Sequence, residues 1–409
     1  MRSWHKTLAL VLLIALLLAL TGCSSRKNPT EVVYPKGIVW MASIDDDIYL
    51  KDNLIGNPWA NRNVFVYLPP GYDTASAATA EYPVLYFLHG FLDTTLGSSG
   101  PGLPYPYGLA ETADRLIATG QIKPMIIAMA NCNSYLGNGA LPAGSFYADS
   151  PTPLNYHIPV LDKSLNGKFE SFYVLMFMNW VETSFRIKSG RGNHAIAGHS
   201  MGGYGAFRIA LHNNSLFGIV GSLSGPLSFE DWDVGSLIEH IFAANGIGPA
   251  GFTDSVKFNL WKSSDETTRM FLSMAAAFTP HNIANTDSTS YFKVTSQGTP
   301  YGVDLPFGPD TNIIASVWNT WVDSNDVKAI YDRDPSKIDS MHIYIDCGDA
   351  DEFGFDLQSD AFYQGLANPY DMDRSFDEYS GGGSRLADNS TYLYYRIENL
   401  LKFVSKNLP

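Results

Sequence analysis

Apolar residues along this chain gather into short runs separated by polar, glycine-rich and proline-rich stretches, and the periods of those runs predict its elements. Residues 64–68 (Val-Phe-Val-Tyr-Leu) are β-branched, aromatic or aliphatic and stop at Pro69-Pro70-Gly71-Tyr72-Asp73, which reads as a strand ending in a turn. Residues 84–88 (Val-Leu-Tyr-Phe-Leu) are apolar without a break, the pattern of a strand buried on both faces. Residues 109–119 place apolar side chains at helical spacing and end at Gly120, a helix and its cap. Residues 125–130 read as another strand, 171–185 as a helix, 195–197 as the end of a strand and 203–212 as the helix after it. Two further strands are expected at 219–223 and 342–345. Strands alternating with helices imply an α/β fold, a mainly parallel twisted sheet with helices on both faces. Between Ser224 and Ser340 the pattern changes to an aromatic stretch rich in Gly, Pro and Asp, with 255–278 helical in appearance. So long an interruption, about 225–340, is expected to be an insertion that forms a lid over a pocket.

The N-terminus follows a different logic. Arg2 and Lys6 precede an unbroken apolar run over 8–20, and Thr21-Gly22-Cys23 follows at once. The run is shorter than the ~20 residues a membrane-spanning helix needs, so residues 1–22 read as a signal peptide and not as part of the fold. Leu20-Thr21-Gly22-Cys23 resembles the bacterial lipobox. That resemblance implies cleavage before Cys23, acylation of its thiol, and residues 23–35 as a polar tether. The expected place is then the bacterial cell envelope, lipid-anchored and exported, with the membrane touched through the N-terminal lipid only. Removing Arg2 and Lys6 moves the formal net charge from −14 to −16, which repels nucleic acid and gives no reason to expect it as a partner. With 45% apolar and 13% aromatic residues, 36–409 can bury the core of one large domain carrying the insertion. Besides Cys23 only Cys132 and Cys347 occur, too few for a disulfide framework or a zinc cluster, and no metal or other cofactor is expected.

Candidate chemistry begins at Gly198-His199-Ser200-Met201-Gly202, a G-x-S-x-G sequence between a predicted strand and a predicted helix. In that setting the sharp turn lifts the Ser200 hydroxyl above the sheet, and the Met201 N–H at the helix start points to the same space. Ser200 is the candidate nucleophile. His89-Gly90-Phe91 follows the buried strand at 84–88, where a second amide can face a tetrahedral oxyanion, so Phe91 and Met201 are the candidate oxyanion donors. His89 and His199 are expected to be structural.

The chain resembles the α/β-hydrolase esterases of the esterase D and feruloyl esterase type. The motifs that carry the resemblance are Val66-Tyr67-Leu68-Pro69-Pro70-Gly71-Tyr72, Pro83-Val84-Leu85-Tyr86-Phe87-Leu88-His89-Gly90, Gly144-Ser145-Phe146-Tyr147 and Ala197-Gly198-His199-Ser200-Met201-Gly202-Gly203-Tyr204-Gly205-Ala206, in that order. It implies a serine esterase working through an acyl-enzyme on a small-molecule or glycan ester, such as an acylated carbohydrate or a phenolic ester. The family acid lies on a Gly-x-x-Asp turn, which Gly348-Asp349-Ala350-Asp351 matches, so Asp351 is the expected acid, with Asp346 and Asp349 as fallbacks. A calcium loop at the same place is excluded by Phe353, which stands where an oxygen ligand is needed. The family's base histidine follows the acid in a Gly-Gly-His turn before the last helix, but here Tyr379-Ser380-Gly381-Gly382-Gly383-Ser384 ends without one, and no histidine occurs after His342. The base is therefore unassigned. His281, in the insertion, and His157, beside the 144–150 loop, are the candidates, and His240 also stands outside the family positions. The rival expectation is an esterase fold with an impaired site that binds a glycan or acyl ligand at the cell envelope.

Overall fold

A computed structural model of the chain describes residues 33–45, 49–50, 61–93, 107–136, 141–151, 167–248, 260, 263–282, 294–296, 299–308, 310–366, 374–379, 388–390 and 392–409. Its folded unit runs from Lys36 to Pro409. At the centre, the described residues form an eight-stranded sheet: β1 (Ile38–Asp45), β2 (Asn61–Leu68), β3 (Val84–Leu88), β4 (Ile126–Ala130), β5 (His194–His199), β6 (Ile219–Leu223), β7 (His342–Gly348) and β8 (Arg374–Tyr379). The spatial order is β1-β2-β4-β3-β5-β6-β7-β8. β2 is antiparallel to both its neighbours, and every pair from β4–β3 to β7–β8 is parallel. This is the α/β-hydrolase arrangement the pattern and the resemblance led us to expect. The helices used below are α1 (Leu109–Ala118), α2 (Met201–His212), α3 (Val234–Ala244), α4 (Glu266–Phe278), α5 (Ala315–Asn325), α6 (Phe355–Gly365) and α7 (Leu393–Asn407).

The two-residue period of the strands sorts their side chains into two core layers. Val84, Tyr86 and Leu88 of β3 pack on one side of the sheet with Val64, Val66, Ile126, Ile196 and Val220. Leu85 and Phe87 pack on the other with Phe65, Tyr67, Ile127, Met129 and Ile219. The second layer is closed by α1 and α7, through Leu109, Ala113, Leu116, Ile397, Leu400 and Val404. The first is closed by α2, α6 and the helical segment that was expected at 171–185. That segment is three contiguous pieces, Phe169–Ser171, Phe172–Met178 and Asn179–Ser184, the middle one wound as a π-helix.

The stretch between β6 and β7 holds α3, α4, α5, the short helices Val327–Arg333 and Ser336–Asp339, and a small antiparallel sheet of Pro280–Asn282, Thr299–Val303 and Val294–Ser296. Of the helix read at 255–278, the described residues show Leu260 in helical conformation, a break at 263–265 and α4 from Glu266. Asp265 caps it there, its carboxylate accepting from the Thr268 N–H at 2.8 Å and the Thr268 hydroxyl at 2.7 Å, while 255–259 lie outside the described residues. Cys132 and Cys347 are buried and form no disulfide. Residues 1–32, including the expected signal peptide and Cys23, also lie outside the described residues; within the described ones no helix is long and apolar enough to cross a membrane.

Candidate active site

Strand β5 runs straight into Ser200 and α2 starts at the next residue. The turn between them has no room for side chains at its flanks. A Cβ on Gly202 would sit 2.1 Å from the Leu88 carbonyl oxygen, and one on Gly198 would sit 2.4 Å from the Gly202 backbone. Ser200 itself is forced to φ 53°, ψ −119°, a conformation that costs an L-residue on the order of 1–3 kcal/mol and persists only where its surroundings impose it. They do so through two backbone bonds: the Ser200 N–H donates to the Leu223 carbonyl at the end of β6 (2.7 Å), and its carbonyl accepts from Tyr204 in α2 (3.1 Å). Ser200 is 9% exposed, and among the described residues nothing hydrogen-bonds to its hydroxyl.

The loop after β3 is fixed by His89 and Tyr107. Cys132 N–H donates to His89 Nε2 at 2.9 Å, so the neutral ring carries its proton on Nδ1 and donates it to the Gly90 carbonyl at 2.9 Å. Burial holds the His89 pKa down, in keeping with that neutral form. Tyr107 accepts from Gly90 N–H at 2.8 Å and donates to Asp93 Oδ2 at 2.5 Å. Burial pushes Asp93 up, but the nearby His199 ring and the hydrogen bond from Tyr107 outweigh it and hold the carboxyl below its ordinary value. The Phe91 and Met201 N–H groups have no acceptor among the described residues. The two side chains converge over Gly144, where a Cβ would meet Phe91 Cδ2 at 2.6 Å and Met201 Sδ at 2.7 Å. The next residues, Phe146 (φ 50°) and Tyr147 (φ 48°), are both left-handed, and Tyr147 donates from its hydroxyl to the His89 carbonyl (3.0 Å). The Gly144-Ser145-Phe146-Tyr147 motif thus braces both candidate oxyanion donors.

Asp351 lies on the turn after β7, buried, with its carboxylate accepting from Phe353 N–H (2.9 Å), Phe355 N–H (3.4 Å) and Asn389 Nδ2 (2.9 Å). Burial, then the like charge of Glu352, push its pKa up to about 6 against the pull of those three donors. Asp346, one fallback, is fully buried in an ion pair with Arg396 at 2.6 Å and accepts from the Tyr344 hydroxyl at 3.1 Å. Asp349, the other, sits partly exposed on the turn itself. Of the three carboxylates, Asp351 is the one held by Asn389.

Asn389 is the residue that reasoning from sequence missed. It precedes α7 and is 4% exposed, and its carbonyl accepts from His199 Nε2 (3.1 Å) and Arg396 Nη1 (2.9 Å). Its N–H donates to Glu352 Oε2 (2.9 Å) and its side-chain amide also reaches the Ser224 carbonyl (3.4 Å). The one signal in the sequence was its place between Asp351 and the last helix. Gly382, Gly383 and Ser384, where the missing histidine was sought, lie outside the described residues, as does His157. His281 is placed only by its backbone, in the strand Pro280–Asn282 opposite Gly302. His240 meets Asp265 at 2.8 Å, within the insertion. No described histidine hydrogen-bonds to Ser200 or Asp351.

The stretch between β6 and β7 reaches this region through aromatic rings. Phe278 of α4 packs against Phe146 (5.9 Å) and Tyr204 (6.2 Å), and Trp232 stacks on Phe271 (5.3 Å) while donating to the Phe353 carbonyl at 2.6 Å. Desolvation and the nearby Glu352 push the Glu266 carboxyl up at the start of α4. Among the described residues, no three His, Cys, Asp or Glu side chains are grouped to hold a metal ion.

Compared with known proteins, residues 59–368 match a family model described as “Putative esterase”. A Xylanibacter ruminicola protein named endo-1,4-beta-xylanase/feruloyl esterase is 30% identical over 197 residues, 47% of this chain and 24% of that protein. An esterase of Mycobacterium tuberculosis is 30% identical over 169 residues, 41% of this chain and 30% of that protein. The matches span less than a third of the length of either relative. A solved structure of a ferulic acid esterase superposes with a TM-score of 0.51 at 19% identity, covering 92% of this chain and all of that one, a likeness of fold.

Proposed function

The chain belongs to the “Putative esterase” family, and from that premise we propose that it is a carboxylic-ester hydrolase in which Ser200 forms the acyl-enzyme. The observation that carries the reading is the backbone of Ser200: a strained residue at a strand-to-helix turn, its hydroxyl free of described partners, beside two unengaged amides. Strain held in place by a Gly202 that cannot bear a Cβ is expected of a nucleophile elbow and has no evident structural benefit. In the reaction the Ser200 Oγ bonds to the ester carbonyl carbon as its proton passes to water and the carbonyl electron pair moves onto the oxygen; that pair returns as the C–O bond breaks and the alcohol leaves with a proton from water, giving the acyl-enzyme. The Phe91 and Met201 N–H groups meet that oxyanion, a contribution of about 10²–10³ in rate for each such donor. Asp351 is the carboxylate in the position of the family acid. The segment over 225–340 acts as the lid, with the rings of Phe278, Phe146 and Trp232 framing the acyl side. Those rings, and the relative named as a feruloyl esterase, favour a phenolic ester or an acylated carbohydrate as substrate.

The test is hydrolysis of short p-nitrophenyl esters together with labelling by a serine-directed phosphonate. Ser200→Ala is expected to abolish both; labelling that survives the substitution would remove Ser200 from the reaction. For location, we propose that Cys23 is the acylated N-terminus and holds the protein in the envelope. Cys23→Ala is expected to move the protein from the membrane to the soluble fraction, and unchanged retention would refute the anchor.

A further inference from the structure

We infer that Asn389 stands in the place of the catalytic base, where no described residue is placed to take the Ser200 proton, and that the single change Asn389→His supplies that group. The inference rests on the roles proposed above for Ser200 and Asp351. A base in such a site must lie between nucleophile and acid, bonded to the acid on one side and within reach of the serine hydroxyl on the other. Asn389 is bonded to the acid on one side and to the neighbour of the nucleophile on the other. Its carbonyl is bonded to His199, the residue before Ser200, and its side-chain amide to Asp351.

The amide cannot do the base's work. Nδ2 is a donor only, and an amide takes up no proton near neutral pH. His199 is not available in its stead, because its Nε2 donates to the Asn389 carbonyl and its Nδ1 faces Asp93 at 3.9 Å. Asp351 fits the same picture. The carboxylate would be stabilised by an imidazolium beside it; here burial and Glu352 prevail and its pKa stands near 6.

The position is built to hold whatever side chain residue 389 carries. Three of the bonds at Asn389 belong to its backbone, to Glu352, His199 and Arg396, and Arg396 is itself locked by Asp346. They do not depend on the side chain. Histidine Nδ1 and asparagine Nδ2 are both one bond beyond Cγ, so the Nδ1–H of a histidine can take over the 2.9 Å bond to Asp351 while the ring carries Nε2 onward. In the completed site the Ser200 proton passes to Nε2 as the Oγ–C bond forms. The imidazolium then gives that proton to the leaving alcohol oxygen as the C–O bond breaks, and water attacks the acyl group by the same steps in reverse, freeing the acid and Ser200.

The experiment compares p-nitrophenyl acetate hydrolysis by wild type, Asn389→His, Asn389→His/Ser200→Ala, and Asn389→Gly with imidazole added to the buffer. Asn389→His is expected to raise the rate on the order of 10²-fold or more, the range for a positioned general base, with activity rising through the imidazole pKa. The Ser200→Ala partner should erase the gain. Asn389→Gly leaves room for free imidazole and should show a saturable, Ser200-dependent rescue, which decides the matter if the histidine variant fails to fold. No gain in folded Asn389→His and no rescue of Asn389→Gly overturns the inference. If phosphonate labelling of wild type still depends on Ser200, only the place of the base was wrong; if labelling is indifferent to Ser200, the esterase reading falls first.

Discussion

The site has two halves, one above β3 and β5 and one above β7 and the start of α7, and they are held by different forces. The first is made of backbone: a strained serine, two amides without a described acceptor, glycines on which a Cβ would lie 2.1–2.6 Å from its neighbours, and a neutral His89 fastening the loop. The second is made of polar side chains joined across long stretches of sequence: Asp351, Asn389, Ser224, Asp346 and Arg396. On the proposed reading the backbone half supplies the nucleophile and the oxyanion donors. The side-chain half then supplies the acid and its scaffold, with the Asn389 amide bonded to that acid. A network of this kind can lose one proton carrier to a single substitution while its framework stays intact, because the framework is Arg396–Asp346 and not the base.

Breaking that framework should have the largest effect. Arg396→Leu leaves Asp346 buried without its partner, which is expected to cost about 3–5 kcal/mol in unfolding free energy. Adding Asp346→Leu should recover much of that loss, since an apolar pair needs no partner. Denaturant titration of the wild type and the two variants checks both statements. A loss below about 1 kcal/mol for Arg396→Leu would mean that the side-chain half is not held as described.

How much of each half was legible in sequence follows from the same contrast. Ser200, Met201, Phe91 and their flanking glycines lie in two short contiguous motifs whose local pattern dictates the turn, and the structure brings these motifs together. The interior strands were legible because both their faces are apolar. The edge strands β1 and β8 were not: in β1 Val39, Trp40 and Met41 are exposed, so burial does not impose a period on them. Asn389 carries no local signal. Its importance comes from His199, lying 190 residues away, and Asp351, lying 38 away, which only the fold brings together. The reading of 255–278 as helical passed over the break at 263–265, where Asp265 caps α4, because polar residues around it concealed the N-cap.

The next effect in size is a pH dependence. In the folded chain Asp351 titrates at about 6 against an ordinary 3.8. The fold therefore favours its protonated form: the contribution is complete below about pH 4 and is lost as pH rises through 6, by about 3 kcal/mol at neutrality. Asp351→Asn should remove that slope in unfolding free energy measured from pH 4 to 7. Asp326 in the insertion, raised by burial to about 7, carries the same sign, so Asp326→Asn must be measured beside it. An unchanged slope in Asp351→Asn would show that its carboxyl is not held above its ordinary value. On the backbone side, Gly202→Ala tests the close approach: a methyl 2.1 Å from the Leu88 carbonyl must push α2 off β3, costing about 1–3 kcal/mol by overpacking. It should also slow phosphonate labelling, because the Met201 amide moves with α2. Full stability with unaltered labelling would mean the elbow is looser than its geometry implies.

The smallest expected effect probes whether the halves are mechanically separate. Trp232 belongs to the insertion, but its indole N–H donates to the carbonyl of Phe353, whose own N–H donates to Asp351. Trp232→Phe keeps an aromatic ring against Phe271 and removes that one hydrogen bond, leaving the Phe353 carbonyl without it. The expected loss is about 1 kcal/mol in unfolding free energy, the net worth of a single neutral bond. If the insertion steadies only the acid turn, the pH midpoint assigned to Asp351 should shift while Ser200 labelling keeps its wild-type rate, since Trp232 reaches the elbow only through ring packing on Phe229 and Tyr204 and not through a described hydrogen bond. Labelling that slows as much as in Gly202→Ala would instead mean that the aromatic insertion transmits to both halves, and the division between a backbone-held nucleophile and a side-chain-held acid would have to be abandoned.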